Sequence, residues 1–163
     1  MKIYRQPFRK TLATSELFVF IVVLFVLIIP SALSGSFNLS AFLLLMVFFI
    51  LFLHIIVIQL FYIILTKDTL VIKNSIYPFW IKKVRYGDIV KVKIRWTNKR
   101  FAPNMQVFTK KNSIFRWRYI IDYVAPRDYP EMIEELETRG VLVETKDIDT
   151  YITMMENTNR KTK

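Results

Sequence analysis

The sequence predicts a two-helix membrane hairpin followed by a small β-barrel or strongly bent antiparallel sheet of about seven strands, closed by a C-terminal amphipathic helix. Three observations predict it. Leu17 to Thr66 are fifty consecutive positions without one Asp, Glu, Lys or Arg. From Thr69 to Tyr123 apolar residues recur with a period of two between turn signals. From Tyr129 to Leu136 the spacing changes to the helical one, with Tyr129, Met132, Ile133 and Leu136 on one stripe.

The uncharged run is too long for one element, and it divides. Leu17–Leu33 is apolar, Ser34-Gly35-Ser36-Phe37-Asn38 is small and polar, and Leu39 onward is apolar again. A helix needs ~20 apolar residues to cross a hydrocarbon core of ~30 Å. Two spans are therefore expected, at 17–33 and 39–60, joined by a short turn. A cleaved secretory signal would also begin with a basic segment and an apolar run. The length of the first run and the second span just beyond it disfavour cleavage.

Lys and Arg flank the hairpin on both sides, whereas its turn carries no charge. The positive-inside rule then puts both termini in the cytoplasm. His54 and Gln59 are the polar side chains deep in the second span. Their spacing of five sets them ~140° apart around a helix. Hydrogen bonds to the partner helix or to another copy suit neutral groups better than a proton path does.

Residues 1–16 mix Lys2, Arg5, Arg9 and Lys10 with Ile3, Tyr4, Phe8 and Leu12. Such a segment lies at the headgroup level or forms a disordered basic tail. The end of the second span, Phe61–Thr66, is β-branched and aromatic, and Lys67-Asp68 marks a turn. It reads as the first strand of the soluble part, which leaves no linker. Thr69–Lys73, Phe79–Arg85, Ile89–Trp96, Met105–Thr109 and Ile114–Tyr123 read as further strands. In the third of these, Val90, Val92, Ile94 and Trp96 share one face, and Lys91, Lys93 and Arg95 the other. In the last, Phe115, Trp117, Tyr119, Ile121 and Tyr123 are expected to face the core, opposite Arg116 and Arg118.

The closing helix has Asp128 as its candidate cap, Pro130 in its first turn and Gly140 as its stop. Val141–Val143 reads as a short edge strand. The rest of 141–163 is expected to be a mobile tail with a weak helical pattern. The soluble domain proper is thus expected over 61–140.

Tyr62-Ile63-Ile64-Leu65-Thr66-Lys67-Asp68-Thr69-Leu70-Val71-Ile72, then Ile81-Lys82-Lys83-Val84-Arg85-Tyr86-Gly87-Asp88-Ile89, then Ala125-Pro126-Arg127-Asp128 before a helix resemble the bacterial PH-like (pleckstrin-homology-like) domain family. The likeness is to its membrane proteins with two spans before the domain, and it covers roughly residues 61–139. Val84-Arg85-Tyr86 departs from the family, which often has Pro there. The resemblance implies a seven-stranded barrel with a C-terminal helix and a place in the bacterial inner membrane. It implies little about activity.

Charge and composition bound the function. The net charge is +11, with no Cys, three Gly and one His. Disulfides, thiolate metal sites, Cys nucleophiles and glycine-rich phosphate loops are thereby excluded. Residues 67–118 hold fourteen Lys and Arg against Asp68 and Asp88, whereas 119–163 are net acidic. Asp68 and Asp88 sit in turn sequences, and no catalytic constellation or metal-ligand spacing is present. No enzyme activity and no cofactor are expected.

The basic segment supplies the candidate contacts to anionic lipid or a partner: Lys82, Lys83, Arg85, Lys91, Lys93, Arg95, Lys99, Arg100, Lys110, Lys111, Arg116 and Arg118. Near an anionic surface each base is worth ~1 kcal/mol. A wet strand face with an ordinary positive-inside excess is the plainer alternative. Nucleic acid is disfavoured, because strand parity separates the aromatics from the bases that single-strand binders place together. The expected function is non-catalytic binding or scaffolding at the membrane surface. Its partners are the lipid bilayer, anionic phospholipid, and another membrane protein or a second copy. The second reading is a small accessory subunit of a transport or assembly complex, with the hairpin as the interacting part.

Overall fold

The computed structural model describes residues 1–33, 38–97, 102–111 and 117–161. Strand β1 (Lys2–Tyr4) precedes two long apolar helices, α1 (Leu12–Leu33) and α2 (Leu39–Ile58). Strands β2 (Phe61–Leu65), β3 (Thr69–Asn74), β4 (Ile81–Arg85), β5 (Ile89–Arg95), β6 (Asn104–Thr109) and β7 (Tyr119–Ile120) follow. Helix α3 (Tyr129–Thr138), strand β8 (Leu142–Lys146) and helix α4 (Ile148–Lys161) complete the chain.

α1 and α2 are long and apolar enough to cross a membrane, and only 6% of each apolar window is buried. Their lengths of 22 and 20 residues correspond to ~30 Å each. They touch through Phe20, whose ring stacks on Phe52 at 4.0 Å and lies 5.7 Å from Phe49. Away from their roots their surfaces are mostly exposed apolar side chains, as in a helix whose solvent is lipid.

The strands form two four-stranded sheets, ordered β1-β2-β3-β4 and β7-β6-β5-β8. They share one core. Phe61, Ile63 and Leu65 of β2, Leu70 and Ile72 of β3, Val92 and Ile94 of β5 and Met105 of β6 are all fully buried there. Burying one such side chain contributes about 2 kcal/mol. Helix α3 adds Tyr129, Met132 and Leu136 to the same core. It ends at Gly140, whose φ of 77° suits a residue without Cβ. The amides of Gly140 and Val141 bond back to the carbonyls of Glu137 and Leu136.

Several expectations are corrected. The sheet is not wholly antiparallel: β8 lies parallel to β5, pairing Val92 with Val143 and Ile94 with Thr145. The first residues are not a disordered tail. Lys2, Ile3 and Tyr4 pair with Leu65, Ile64 and Ile63, and Tyr4 enters the core. Nor is the C-terminal segment a loose tail, because α4 buries Ile148 and Tyr151. Tyr151 meets Tyr129 edge-on at 5.8 Å and Trp96 at 5.4 Å.

In β5 a bulge between Ile89 and Lys91 turns Val90 out and Ile89 in, so strict alternation holds only from Val92 onward. Asp128 makes no side-chain cap to α3 and instead lies 3.5 Å from Arg127. Among the described residues of the expected strand 114–123, Tyr119–Ile120 form a strand and Ile121 makes an isolated bridge to Leu60. Trp117 is 41% exposed there, and Phe115 lies outside the described residues.

Polar contacts tie α3 to the sheet end farther from the apolar helices. Lys2 on β1 reaches Glu135 at 2.7 Å and Glu131 at 3.1 Å. Arg139 reaches Glu135 at 2.5 Å, donates to the Thr66 carbonyl in the β2–β3 turn, and lies over the Tyr86 ring at 5.1 Å.

Candidate functional site

The two apolar helices are rooted in the domain by a buried polar joint. An α-helix leaves four amides free at its start and four carbonyls free at its end. At α1, the amides of Leu12 and Ala13 donate to the two carboxylate oxygens of Asp122 at 3.1 and 2.9 Å. Asp122 is 1% exposed and follows β7 in the chain. Burial pushes its carboxyl up to about 6, although the two helix amides act to lower it. Gln6 closes the same corner by donating from Nε2 to the Asp122 carbonyl at 2.7 Å.

At α2, fully buried Asn74 donates from Nδ2 to the Val57 carbonyl at 2.7 Å. Its Oδ1 accepts from the amides of Ile76 and Tyr77, both at 2.9 Å. One side chain thus caps the helix end and shapes the β3–β4 loop. Gln59, next after α2, donates to Glu16 on α1 at 3.1 Å. Around these groups Ala13, Ile56, Leu60, Tyr62 and Tyr123 form a second apolar cluster. Strand β2 therefore has two dry faces, Phe61, Ile63 and Leu65 toward the main core and Tyr62 toward the helix roots.

Among the described residues, the hydrogen bond of His54 runs to the soluble domain and not to α1. Its Nδ1 lies 3.1 Å from the Tyr77 hydroxyl on the β3–β4 loop, a hydrogen bond whose direction depends on the imidazole tautomer. Tyr77 begins a ladder of rings through Phe79 at 5.4 Å and Trp80 at 6.4 Å, and Trp80 continues to Trp117 at 5.4 Å.

The candidate bases do not form one surface. Lys91 and Lys93 share the Glu144 carboxylate on β8, at 2.6 and 2.8 Å. This pairing holds Glu144 down at about 2. Lys82 and Lys83 are exposed on β4 close to the β3–β4 loop, and Arg118 is exposed beside Trp117. Arg85 pairs with Thr69, at the end of β3 away from Asn74. The Lys110 amide bonds the Asp88 carbonyl at that same far end, with Lys111 next to it. Arg95 is half-buried at the end of β5. Lys99, Arg100 and Arg116 lie outside the described residues.

A hollow of about 280 Å³ opens at the base of α1, with Arg5, Lys10 and Arg127 set against Asp128 and Glu156. Its charges largely offset each other. Among the described residues no group of His, Asp and Glu is placed to hold a metal ion.

Asp122 and Asn74 escape a reading of the sequence. Asn74-Ser75 is a turn signal by composition, and nothing local says that its amide caps a helix seventeen positions earlier. The available hint at Asp122 is a lone acid within Tyr119–Val124, an otherwise apolar and aromatic stretch. No protein-family model matches the chain, and no curated protein matches it.

Proposed function

We propose that α1 and α2 span a membrane and that the domain is a non-catalytic binding or scaffolding module held at the surface of that membrane. The joint carries this reading. A domain free to swing would need a linker, whereas here Asp122 caps α1 and Asn74 caps α2, so hairpin and domain move as one body. Both helix roots are at the domain, which suits a hairpin returning to one side. Cleavage after α1 would remove β1 and break the Asp122 cap, so the first span is retained.

The basic flanks favour the cytoplasmic side for both termini. The PH-like resemblance of residues 61–139 agrees with a binding role without naming a ligand. Exposed Lys82, Lys83 and Arg118 are the bases best placed for anionic headgroups, and exposed Arg85, Lys110 and Lys111 those best placed for a partner.

Crosslinking in native membranes tests the scaffold reading. Photo-crosslinkers at Arg85 and Lys111, both exposed at the end of the domain away from the helices, are expected to capture a discrete partner or a second copy. Capture of nothing but lipid at both positions would remove scaffolding and leave lipid contact. For topology, activity of a periplasmic reporter fused after Lys163 would overturn the cytoplasmic placement.

A further inference from the structure

We infer that the β3–β4 loop and Trp117 form an aromatic wedge that enters the cytoplasmic leaflet beside α2, so that the domain is partly sunk in the bilayer. The inference rests on the reading of α1 and α2 as membrane spans and adds a specific lipid-contacting surface to it. The geometry begins at His54. It lies five positions before Gln59, where the chain leaves α2, and so ~7 Å up the helix axis. Tyr77 of the soluble domain bonds it there. The interfacial layer of one leaflet is itself only ~6 Å thick. The tip of the loop is therefore at the boundary between headgroups and acyl chains, or just past it.

Exposure agrees with that depth. Phe79 is 78% exposed, Ile76 51% and Trp117 41%. Phe79 continues the bare surface of α2, since Tyr77 bridges His54 and Phe79, and Trp117 joins through Trp80. In water such a patch has a cost; in the interfacial layer Trp and Tyr are at their favoured depth. The ladder is also braced from below, because Trp80 meets Phe61 of the core edge-on at 5.2 Å. A stiff wedge loses little conformational entropy on insertion.

Charge complements it. Lys82 and Lys83 follow Ile81 on β4, and Arg118 follows Trp117, so exposed bases rim the apolar tip. A strand rises ~3.3 Å per residue. Lys82 and Lys83 thus lie a few ångströms toward the cytoplasm from the tip, at the level of the phosphates. The occupant that fits is the cytoplasmic leaflet of the hairpin's own bilayer, enriched in anionic lipid.

Because the chain has no Cys, single substitutions can be labelled cleanly. The full chain is reconstituted into phosphatidylcholine–phosphatidylglycerol vesicles, either plain or brominated near the headgroup end of the acyl chains. Its three Trp are 80, 96 and 117, and Trp96 is 5% exposed in the core, where brominated lipid cannot reach. Brominated vesicles are expected to quench roughly a third or more of the emission, as interfacial Trp would. Trp117→Phe should reduce the quenching and Trp80→Phe/Trp117→Phe should abolish it.

An environment-sensitive dye on Phe79→Cys should emit blue-shifted, and the same dye on Lys110→Cys should read as water. Protein that resists carbonate extraction and floats with the vesicles, yet shows unquenched Trp and a water-like dye at residue 79, would overturn the wedge alone. A shielded dye without quenching also overturns it, pointing to a protein covering the patch. Protein that does not float at all would sink the membrane reading itself.

Discussion

Asp122 and Glu135 hold opposite ends of the domain and are tuned in opposite directions. Asp122 is buried at the helix roots, and desolvation raises its carboxyl to about 6 against two helix amides that lower it. Glu135 lies on α3 at the other end, where Lys2 and Arg139 hold it down at about 2. The first has fixed donors that cannot follow a displaced acceptor. The second has two long, flexible cations in contact with water, where ion pairs are individually weak. The structure thus uses rigid, solvent-free polar contacts where the domain meets the apolar helices. It uses adaptable ion pairs where α3 closes over the sheet.

The largest effect expected from this contrast is the pH dependence of the joint. An ordinary Asp has a value of 3.8, and folding raises Asp122 to about 6. The folded protein then binds more protons than the unfolded chain between those values, so stability falls as pH rises through that window. The change is on the order of 3 kcal/mol. Unfolding midpoints in detergent between pH 4 and pH 7 measure it. Asp122→Asn cannot ionise and should flatten that slope; an unchanged slope would assign the titration to another group.

Asn74→Ala is expected to rank second. It strands the amides of Ile76 and Tyr77 and takes one of two donors from the Val57 carbonyl, which keeps the Leu60 amide, at a cost of about 2 kcal/mol. It should also free the β3–β4 loop, read as faster proteolysis near residues 75–80. A midpoint within error of wild type would show that water replaces Asn74 there.

The smallest effect belongs to the far end. Glu135→Gln should lower the midpoint slightly at low salt and by nothing measurable at high salt. Since Glu135 is depressed from 4.5 to about 2, its contribution is present above the upper value and lost as pH falls through the lower one. The variant should therefore blunt the acid limb below pH 4.5 and leave the Asp122 window intact. A salt-insensitive loss as large as that of Asn74→Ala would erase the distinction between the two ends.

Much of the architecture is legible in local spacing. The fifty uncharged residues contain α2 and all of α1 but its first five residues, and β2 begins at Phe61, where β-branched and aromatic residues take over. The stripe from Tyr129 to Leu136 with its Gly140 stop is α3. These readings succeed because they rest on period and on solvent preference, which each residue carries with it. The readings of the two chain ends fail for the converse reason. Lys2-Ile3-Tyr4 is too short to have a period, and β2 makes it a strand. Ile148, Tyr151, Ile152 and Met155 repeat the spacing of α3 within an otherwise polar segment, and packing against Trp96 and Tyr129 is what buries that stripe.

By itself, then, the sequence determined that two apolar helices precede a β-rich domain with a basic middle, and that almost no residues separate them. Only the tertiary structure decided how the two are joined. Asp122 meets Leu12 and Ala13 across more than a hundred residues, Glu16 meets Gln59 across the hairpin, and Tyr77 of the domain reaches back to His54. Hydrogen bonds between distant residues leave no periodic trace in a chain. They form only once the strands between them have brought donors and acceptors together in a place water cannot enter.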